Sequence, residues 1–255
     1  MRPARGSTPP WRGSVSLASA IIIGNGRMGA LVARTLEATG RFEVAGVYDV
    51  DTIDALADAA AADVAIEFSH LSAIPQVAAY VARTGTALVS GTTGLGEEEL
   101  ALLRAAGEHA PVVWSPNYAL GVAVLRRLAA QAAEALADFD IEIVETHHNR
   151  KADAPSGTAK ALLAAVDPEG SCDVVYGREG MVGARTAREI GVHAVRGGTV
   201  AGTHEVHFFG PDEEVCLTHR ATSRQIFASG AVAAAERLLA CAPGFYTFDQ
   251  LMFGD

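Results

Sequence analysis

The feature that most constrains this sequence is the glycine pattern at residues 24–29, Gly-Asn-Gly-Arg-Met-Gly, which directly follows the apolar run Ile21–Ile23. Such a β-branched run predicts a buried strand, and the periodicity of Met28–Ala38 predicts a helix after it. Glycines at these positions permit a tight strand-to-helix turn and a close approach of ligand to backbone. Taken alone, the pattern is also compatible with an ordinary strand–helix turn.

Short apolar runs alternate with helical patterns from residue 20 to residue 117. Each run is nearly continuously apolar, as expected for strands of a parallel sheet that is covered on both faces. We therefore predict a Rossmann-like, doubly wound parallel sheet over residues 19–117. Hydrophobic residues make up 49% of the 255-residue chain, which favours folded domains and excludes an intrinsically disordered protein.

The pattern changes after residue 117, where a long helix is predicted over Val122–Ala137. Strand patterns separated by turn signals then predict a largely antiparallel meander between Glu189 and Thr218. We expect a second α+β domain with a mostly antiparallel or mixed sheet over residues 118–224.

Both ends of the chain are predicted to lie outside this second domain. A helix at Gln225–Leu239 is expected to return residues 225–255 to the first domain. Residues 1–18 are rich in Pro, Gly, Ser and Arg, contain no acidic residue and predict a flexible tail. An organelle transit peptide has a similar composition, but the absence of an amphipathic run favours a plain extension.

The charge balance limits the partners, since 20 Lys and Arg oppose 30 Asp and Glu for a net charge of −10. We expect neither nucleic-acid nor membrane binding, because phosphates and anionic lipids would be repelled and no apolar run reaches the roughly 18–20 residues of a membrane helix. Three widely spaced cysteines without a C-x-x-C pair predict a reduced, cytoplasmic protein with neither a disulfide framework nor a structural zinc site. An anionic substrate would require a local cluster of cations.

Asp49 ends the second predicted strand, about twenty residues after the glycine turn, where an acid accepts hydrogen bonds from the adenine ribose. The glycine turn and Asp49 together predict a nicotinamide dinucleotide. Asp49 would repel a ribose 2′-phosphate and Val50 provides no compensating charge, which favours NADH. Arg27 could still reach a 2′-phosphate, so NADPH stays open; alternatively, Arg27 is a solvated residue at a helix start.

A second glycine-rich segment, Gly91-Thr92-Thr93-Gly94, follows the fourth predicted strand. The carboxyl ends of parallel strands line the cofactor crevice, so this segment is a candidate contact for nicotinamide or substrate. A simple turn is the alternative.

The segment Glu145–Ala159 concentrates cations in an otherwise acidic chain, namely His147, His148, Arg150 and Lys151. A Ser-Gly-Thr sequence then begins a helix at residues 156–158. Charged donors beside helix N–H groups suit a small dicarboxylate. The two histidines are adjacent on a strand edge and point to opposite sides, without a third ligand at recognisable spacing, so we predict no metal site.

Several motifs in one order resemble the 4-hydroxy-tetrahydrodipicolinate reductase (dihydrodipicolinate reductase) family. They are Gly24–Gly29, Gly91–Gly94, Ser115–Tyr118, His147–Ala159, His193–Arg196 and Leu217–Arg224. The most specific is the His-His-x-x-Lys-x-Asp-Ala-Pro-Ser-Gly-Thr stretch. The resemblance implies reduction of a cyclic unsaturated imine dicarboxylate with NADH or NADPH, in lysine and diaminopimelate biosynthesis. The chain departs from many relatives in its shorter glycine turn.

The resemblance also implies roles for individual residues. His147 would be the general acid, Lys151 a proton donor or charge stabiliser that also binds substrate, and His148, Gly157 and Thr158 would hold the carboxylates. The cofactor would contact Gly24, Asn25, Gly26, Arg27, Met28, Gly29, Asp49, Gly91, Thr92, Thr93, Ser115, Pro116, Asn117 and Tyr118. Members of the family tend to be homotetramers assembled through the second domain, so residues 118–224 are expected to serve substrate binding and oligomerisation.

Two other functions are consistent with part of the pattern. A two-domain dehydrogenase acting on a different amino- or imino-acid heterocycle would share the cofactor features and the cationic loop. A non-catalytic NAD-binding sensor would keep the glycine turn but would have no need of His147 together with Lys151. The roles of Arg196, Arg220 and Arg224 are open, and isolated arginines favour ion pairs in the fold or at an interface.

Overall fold

The computed structural model describes residues 17–254. Of the predicted tail, residues 1–16 lie outside this range, and Ala18 is already the first residue of a strand. The chain divides into two compact units: the residues up to Trp114 with Val232–Thr247, and Ser115–Ala231 with the residues from Phe248 onward. The division therefore falls before Ser115 rather than after Asn117, and residues 225–254 are shared between the units.

The elements follow one another in this order: β1 (Ala18–Ile23), α1 (Arg27–Thr39), β2 (Phe42–Tyr48), β3 (Val64–Glu67), α2 (Ile74–Thr84), β4 (Ala87–Ser90), α3 (Glu97–Ala106), β5 (Pro111–Trp114), α4 (Leu120–Ala135), β6 (Asp140–His147), α5 (Gly157–Val166), β7 (Asp173–Val175), β8 (Glu189–Arg196), β9 (Thr203–Phe209), β10 (Glu214–Arg220), α6 (Gln225–Leu238), β11 (Gly244–Tyr246) and α7 (Phe248–Phe253). Short 3-10 helices lie at Ile53–Ala57 and Leu71–Ala73.

The first unit contains a six-stranded sheet in the order β11-β5-β4-β3-β1-β2, and every strand pair in it is parallel. All four residues of β3 and of β4 are buried, as the continuous apolar runs indicated. This sheet confirms the Rossmann-like prediction. The order reverses at β1, so the turn after β1 lies at the switch point where ligands bind in such sheets.

The second unit contains a mixed sheet in the order β10-β9-β6-β8-β7, which confirms the predicted sheet type. The expected meander of β8, β9 and β10 is wrong, because β6 lies between β8 and β9. The Gly-Gly turn after β8 does not close a hairpin. Instead, Gly197 N–H donates to His147 O, and His148 N–H donates to Val200 O, so this loop pairs with the end of β6.

The two faces of this mixed sheet differ. The inner face carries Ile143, Val192 and Phe208, which form a buried core with Leu125 of α4 and Leu162 of α5. The outer face carries the alternate residues, including Glu142, His193, His207 and Cys216. No helix within residues 17–254 is long and apolar enough to cross a membrane.

Candidate active site

Two glycines make the turn after β1 possible. Gly24 has φ of +110°, and a Cβ there would lie 2.1 Å from Phe68 O. A Cβ at Gly29, on the first turn of α1, would lie 1.8 Å from Gly24 O. Because neither position has room for a side chain, the strand, the turn and the helix can pack this closely only with glycine.

Gly26 is different, because it is the N-cap of α1 and a Cβ there would meet no atom of residues 17–254 within 4 Å. Asn25, Gly26 and Arg27 are exposed and Met28 is half-buried, and within the described part of the chain no side chain caps the helix. Open space therefore lies in front of a helix N-terminus, whose N–H groups and dipole favour an anion. The turn fits the pyrophosphate of a dinucleotide.

Asp49 directly follows β2. Its Oδ1 accepts hydrogen bonds from Thr52 Oγ1 at 3.0 Å and from Asp51 N at 3.1 Å. The Thr52 bond is the largest influence on the Asp49 pKa, which is lowered, and a hydrogen bond from Asn25 lowers it further. The carboxylate is thus held anionic beside the glycine turn, as an acceptor for ribose hydroxyls must be.

The segment after β4 is built on a carboxylate that the sequence reading missed. Glu67, at the end of β3, is fully buried and accepts hydrogen bonds from Ser69 N at 2.6 Å, from Ser90 Oγ at 2.7 Å and from Thr92 Oγ1. Gly91 is buried against the Phe68 ring, whereas Thr93 is exposed. The Thr92 hydroxyl therefore supports the loop. The sequence signal that could have identified Glu67 was an acidic residue at the end of an apolar strand run.

The predicted cofactor segment Ser115–Tyr118 belongs to the second unit. Pro116 is exposed, whereas Tyr118 is 1% exposed and its ring lies edge-on to Phe248 at 5.2 Å. Asn117 Nδ2 donates to Thr158 Oγ1 at 3.0 Å. The segment is thus joined to the cationic loop through Asn117.

That loop connects His147, the last residue of β6, to Gly157, the first of α5. Ser156 caps α5, because its Oγ accepts from Ala159 N at 3.2 Å. Lys151 Nζ contacts both carboxylate oxygens of Asp153, at 2.7 and 2.9 Å. His148 Nδ1 is buried without a hydrogen-bond partner among the described residues. The loop thus offers a cation and a helix N-terminus.

Glu145, which begins the cationic segment but received no role from the sequence, organises the start of the loop. It is fully buried, and its carboxylate binds His147 Nδ1 at 2.6 Å, both Nη atoms of Arg196 at 2.8 and 2.9 Å, and Ser156 N at 2.9 Å. Burial by itself would raise the Glu145 pKa, but the bonds from Arg196, His147 and Ser156 lower it on balance. Arg196 therefore has a role: it neutralises this carboxylate.

His204 of β9 completes the cluster, although nothing in the sequence set it apart from other strand residues. It is 4% exposed, its Nε2 lies 3.2 Å from Ser156 Oγ, and its ring meets the His147 ring edge-on at 5.1 Å. Burial, with a smaller contribution from His147, lowers the His204 pKa to about 4. His204 is therefore neutral at physiological pH and adds no positive charge beside His147.

A parallel sheet with a dinucleotide turn at its switch point, and a second unit with a cationic loop, define a nicotinamide-dependent oxidoreductase of the two-domain type. Family models described as dihydrodipicolinate reductase, N-terminus, and dihydrodipicolinate reductase, C-terminus, match residues 18–118 and 121–252. The chain belongs to the dihydrodipicolinate reductase family.

Individual relatives agree. The chain is 42% identical to the 4-hydroxy-tetrahydrodipicolinate reductase of Caldanaerobacter subterraneus subsp. tengcongensis, over 89% of this chain and 95% of the relative. It is 49% identical to that of Methanopyrus kandleri, over 76% and 72%. Its fold matches a dipicolinate-bound dihydrodipicolinate reductase from Paenisporosarcina sp. TG-14 with a TM-score of 0.72, at 21% identity, covering 93% of this chain and 100% of the other.

Proposed function

We propose that this chain catalyses the NAD(P)H-dependent reduction of 4-hydroxy-tetrahydrodipicolinate to tetrahydrodipicolinate, a step of lysine and diaminopimelate biosynthesis in the cytoplasm. The observation that carries the proposal is the loop that starts directly after His147, contains Lys151 and ends at the N-terminus of α5. Loss of the 4-hydroxyl group as water leaves a conjugated, dianionic cyclic imine. The combination of His147, Lys151 and a helix N-terminus matches such a ring, which must accept a hydride and then a proton to complete the reduction.

Substrate binding is assigned to the loop and the helix start. The N–H groups of Gly157 and Thr158 point from the N-terminus of α5, and together with His148 and Lys151 they would hold the two carboxylates. Gly157 is exposed and its Cβ position is open. The ammonium of Lys151 would exchange Asp153 for a substrate carboxylate. The bond from Asn117 to Thr158 holds the helix start in place.

Proton delivery is assigned to His147. Its Nδ1 is held by Glu145 at 2.6 Å, which leaves Nε2 as the nitrogen that can donate a proton to the substrate. When bound, the nicotinamide supplies the hydride. Lys151 stabilises the negative charge that develops on the ring as the hydride arrives, and His147 then protonates it.

The cofactor is assigned to Gly24–Gly29, Asp49, Gly91–Thr93 and Ser115–Tyr118, with NADH preferred over NADPH. The preference follows from the anionic Asp49 and the absence of a cation at Val50. Replacing Asp49 by Ser should weaken NADH binding and strengthen NADPH binding, measured as Kd by quenching of protein fluorescence. Equal effects on both cofactors would contradict this assignment.

The decisive assay is the oxidation of NADH in the presence of freshly generated 4-hydroxy-tetrahydrodipicolinate. The chain contains two lysines, which provides a matched control. Lys151→Ala should lower kcat/KM by about 10²-fold or more, whereas Lys160→Ala, on the exposed side of α5, should not.

Inhibition by pyridine-2,6-dicarboxylate separates this function from reduction of another heterocycle. The proposal fails if the wild-type protein neither turns over the substrate nor is inhibited by this analogue. We further propose a homotetramer, which light scattering coupled to size-exclusion chromatography would test.

A further inference from the structure

Potential metal ligands lie on neighbouring strands at the outer face of the mixed sheet. The antiparallel register of β9 and β10 places His207 opposite Cys216, and Glu205 opposite Thr218. His207 Nε2 lies 3.8 Å from Cys216 Sγ and 3.7 Å from Glu205 Oε2. Sulfur and oxygen donors therefore flank the same imidazole nitrogen, far along the chain from the histidines of the cationic loop.

Glu214 and Phe209 fix the orientation of the His207 ring. Its Nδ1 lies 2.6 Å from Glu214 Oε1, and its ring stacks on Phe209 with centroids 5.6 Å apart and planes 5° apart. An ionised carboxylate only accepts hydrogen bonds, so Nδ1 is the nitrogen that carries a hydrogen towards Glu214, and Nε2 is the nitrogen that faces Cys216 and Glu205. A carboxylate behind a histidine is the usual arrangement around protein-bound zinc, where it fixes the ring and raises its basicity as a ligand.

The spacing and the donor types indicate the class of ion. Two ligand atoms that bind one zinc ion at typical distances and a tetrahedral angle are about 3.3–3.6 Å apart. Cys216 Sγ and Glu205 Oε2 lie at 3.8 and 3.7 Å from His207 Nε2, close to this value. Thiolate, imidazole and carboxylate suit Zn²⁺ and Co²⁺, whereas Mg²⁺ and Ca²⁺ prefer oxygen ligands alone. Glu142, opposite His207 on β6, is already held by Arg178 and His193 and does not compete.

We propose that His207 Nε2 and Cys216 Sγ bind one Zn²⁺-class ion per chain, that the half-exposed Glu205 carboxylate turns towards the ion as a third ligand, and that Glu214 orients the imidazole. In the single chain Cys216 is exposed, and the His207, Glu205 and Glu214 side chains are 20%, 32% and 46% exposed, so an ion can reach the ligands before subunits assemble and a water can complete the coordination. Binding releases the thiol proton, and the bound cation offsets three neighbouring negative charges.

The test uses the Cys172→Ser/Cys241→Ser double variant, in which Cys216 is the only cysteine. It is expressed with added Co²⁺, so that a site enclosed between subunits is also filled, and its metal content is measured by mass spectrometry. We expect about one Co²⁺ per chain and a thiolate-to-cobalt charge-transfer band in the near ultraviolet. A folded protein without that band overturns the proposal, whatever its reductase activity.

Substitutions then assign the ligands in Zn²⁺ competition titrations. Cys216→Ser and His207→Gln should each abolish tight binding, and Glu214→Gln should weaken it roughly 10–100-fold, as for other residues that support a ligand. Circular dichroism verifies that each variant folds. An affinity unchanged by Cys216→Ser overturns the site. A second outcome also overturns the site: the protein binds no metal, and His207→Gln slows the alkylation of Cys216 by iodoacetamide. That result would mean that His207 activates the Cys216 thiol and does not share a metal ion with it.

Discussion

The two faces of β6 carry the same three residue types in different settings. On the inner face, Glu145 binds His147 and Arg196. On the outer face, Glu142 binds His193 and Arg178, and each histidine nitrogen lies 2.6 Å from its carboxylate. The inner glutamate and histidine side chains are 0% and 12% exposed, against 16% and 30% for the outer pair.

The difference lies in burial and in what each cluster is joined to. Glu145 also accepts the N–H of Ser156, so its charge fixes both the histidine and the N-terminus of α5. The outer carboxylate lies over Gly191, where a Cβ would come 1.7 Å from Glu142 Oε2, and it links strands to the loop that contains Arg178. Residue types and distances alone therefore do not identify a reactive centre, because a charge acts more strongly where water is excluded.

The largest effect is expected for the two histidines. His147→Gln should lower kcat by about 10²–10⁴-fold, because the proposed general acid is lost, whereas His193→Gln should leave kcat unchanged. Steady-state kinetics on both variants, with circular dichroism to verify folding, tests this. Similar losses in the two variants would mean that the faces do not differ in function.

Next in size is the effect of pH on stability through His204 on the inner face. Its pKa of about 4 in the folded protein is below the ordinary 6.5, so between these pH values the unfolded chain binds more protons. The free energy of unfolding should therefore fall as the pH drops from 6.5 to 4, by about 3 kcal/mol from this residue.

Urea unfolding at several pH values measures this contribution as a slope. His204→Gln should remove it, whatever the variant does to stability at pH 8, while replacement of the exposed His109 by Gln should retain it. A slope that persists in His204→Gln would assign the acid sensitivity to other groups.

The smallest effect is expected for the two glutamates. Glu145→Gln keeps the shape but removes the charge that orients His147, so kcat should fall about 10–100-fold, as for residues that position a reactive group. Glu142→Gln should not alter kcat. Cofactor Kd should be the same in both, since neither glutamate is among the residues assigned to the cofactor and both lie outside the unit that contains the glycine turn. A weakened cofactor affinity in Glu145→Gln would indicate a general structural defect instead.

Much of the fold was predictable, because local patterns reported local structure. The continuous apolar runs became β3 and β4, and the helix predicted at Gln225–Leu239 ends one residue earlier in the structure. Short elements such as β7 and β11 were missed, since three residues carry too little periodicity. The predicted meander was wrong because β6 pairs with β8 and β9, which are distant along the chain. The turn residues after β8 do not encode this long-range pairing.

The chain's own order of residues is sufficient to place the glycine turn, Asp49 and the cationic loop, because each is a contiguous or regularly spaced signal. The fold alone brings Glu145, Arg196 and His204 around His147, and His207 opposite Cys216, because strand register joins residues that are distant along the chain. Burial is likewise a property of the packed sheet. It distinguishes the carboxylate beneath the loop from its counterpart on the outer face.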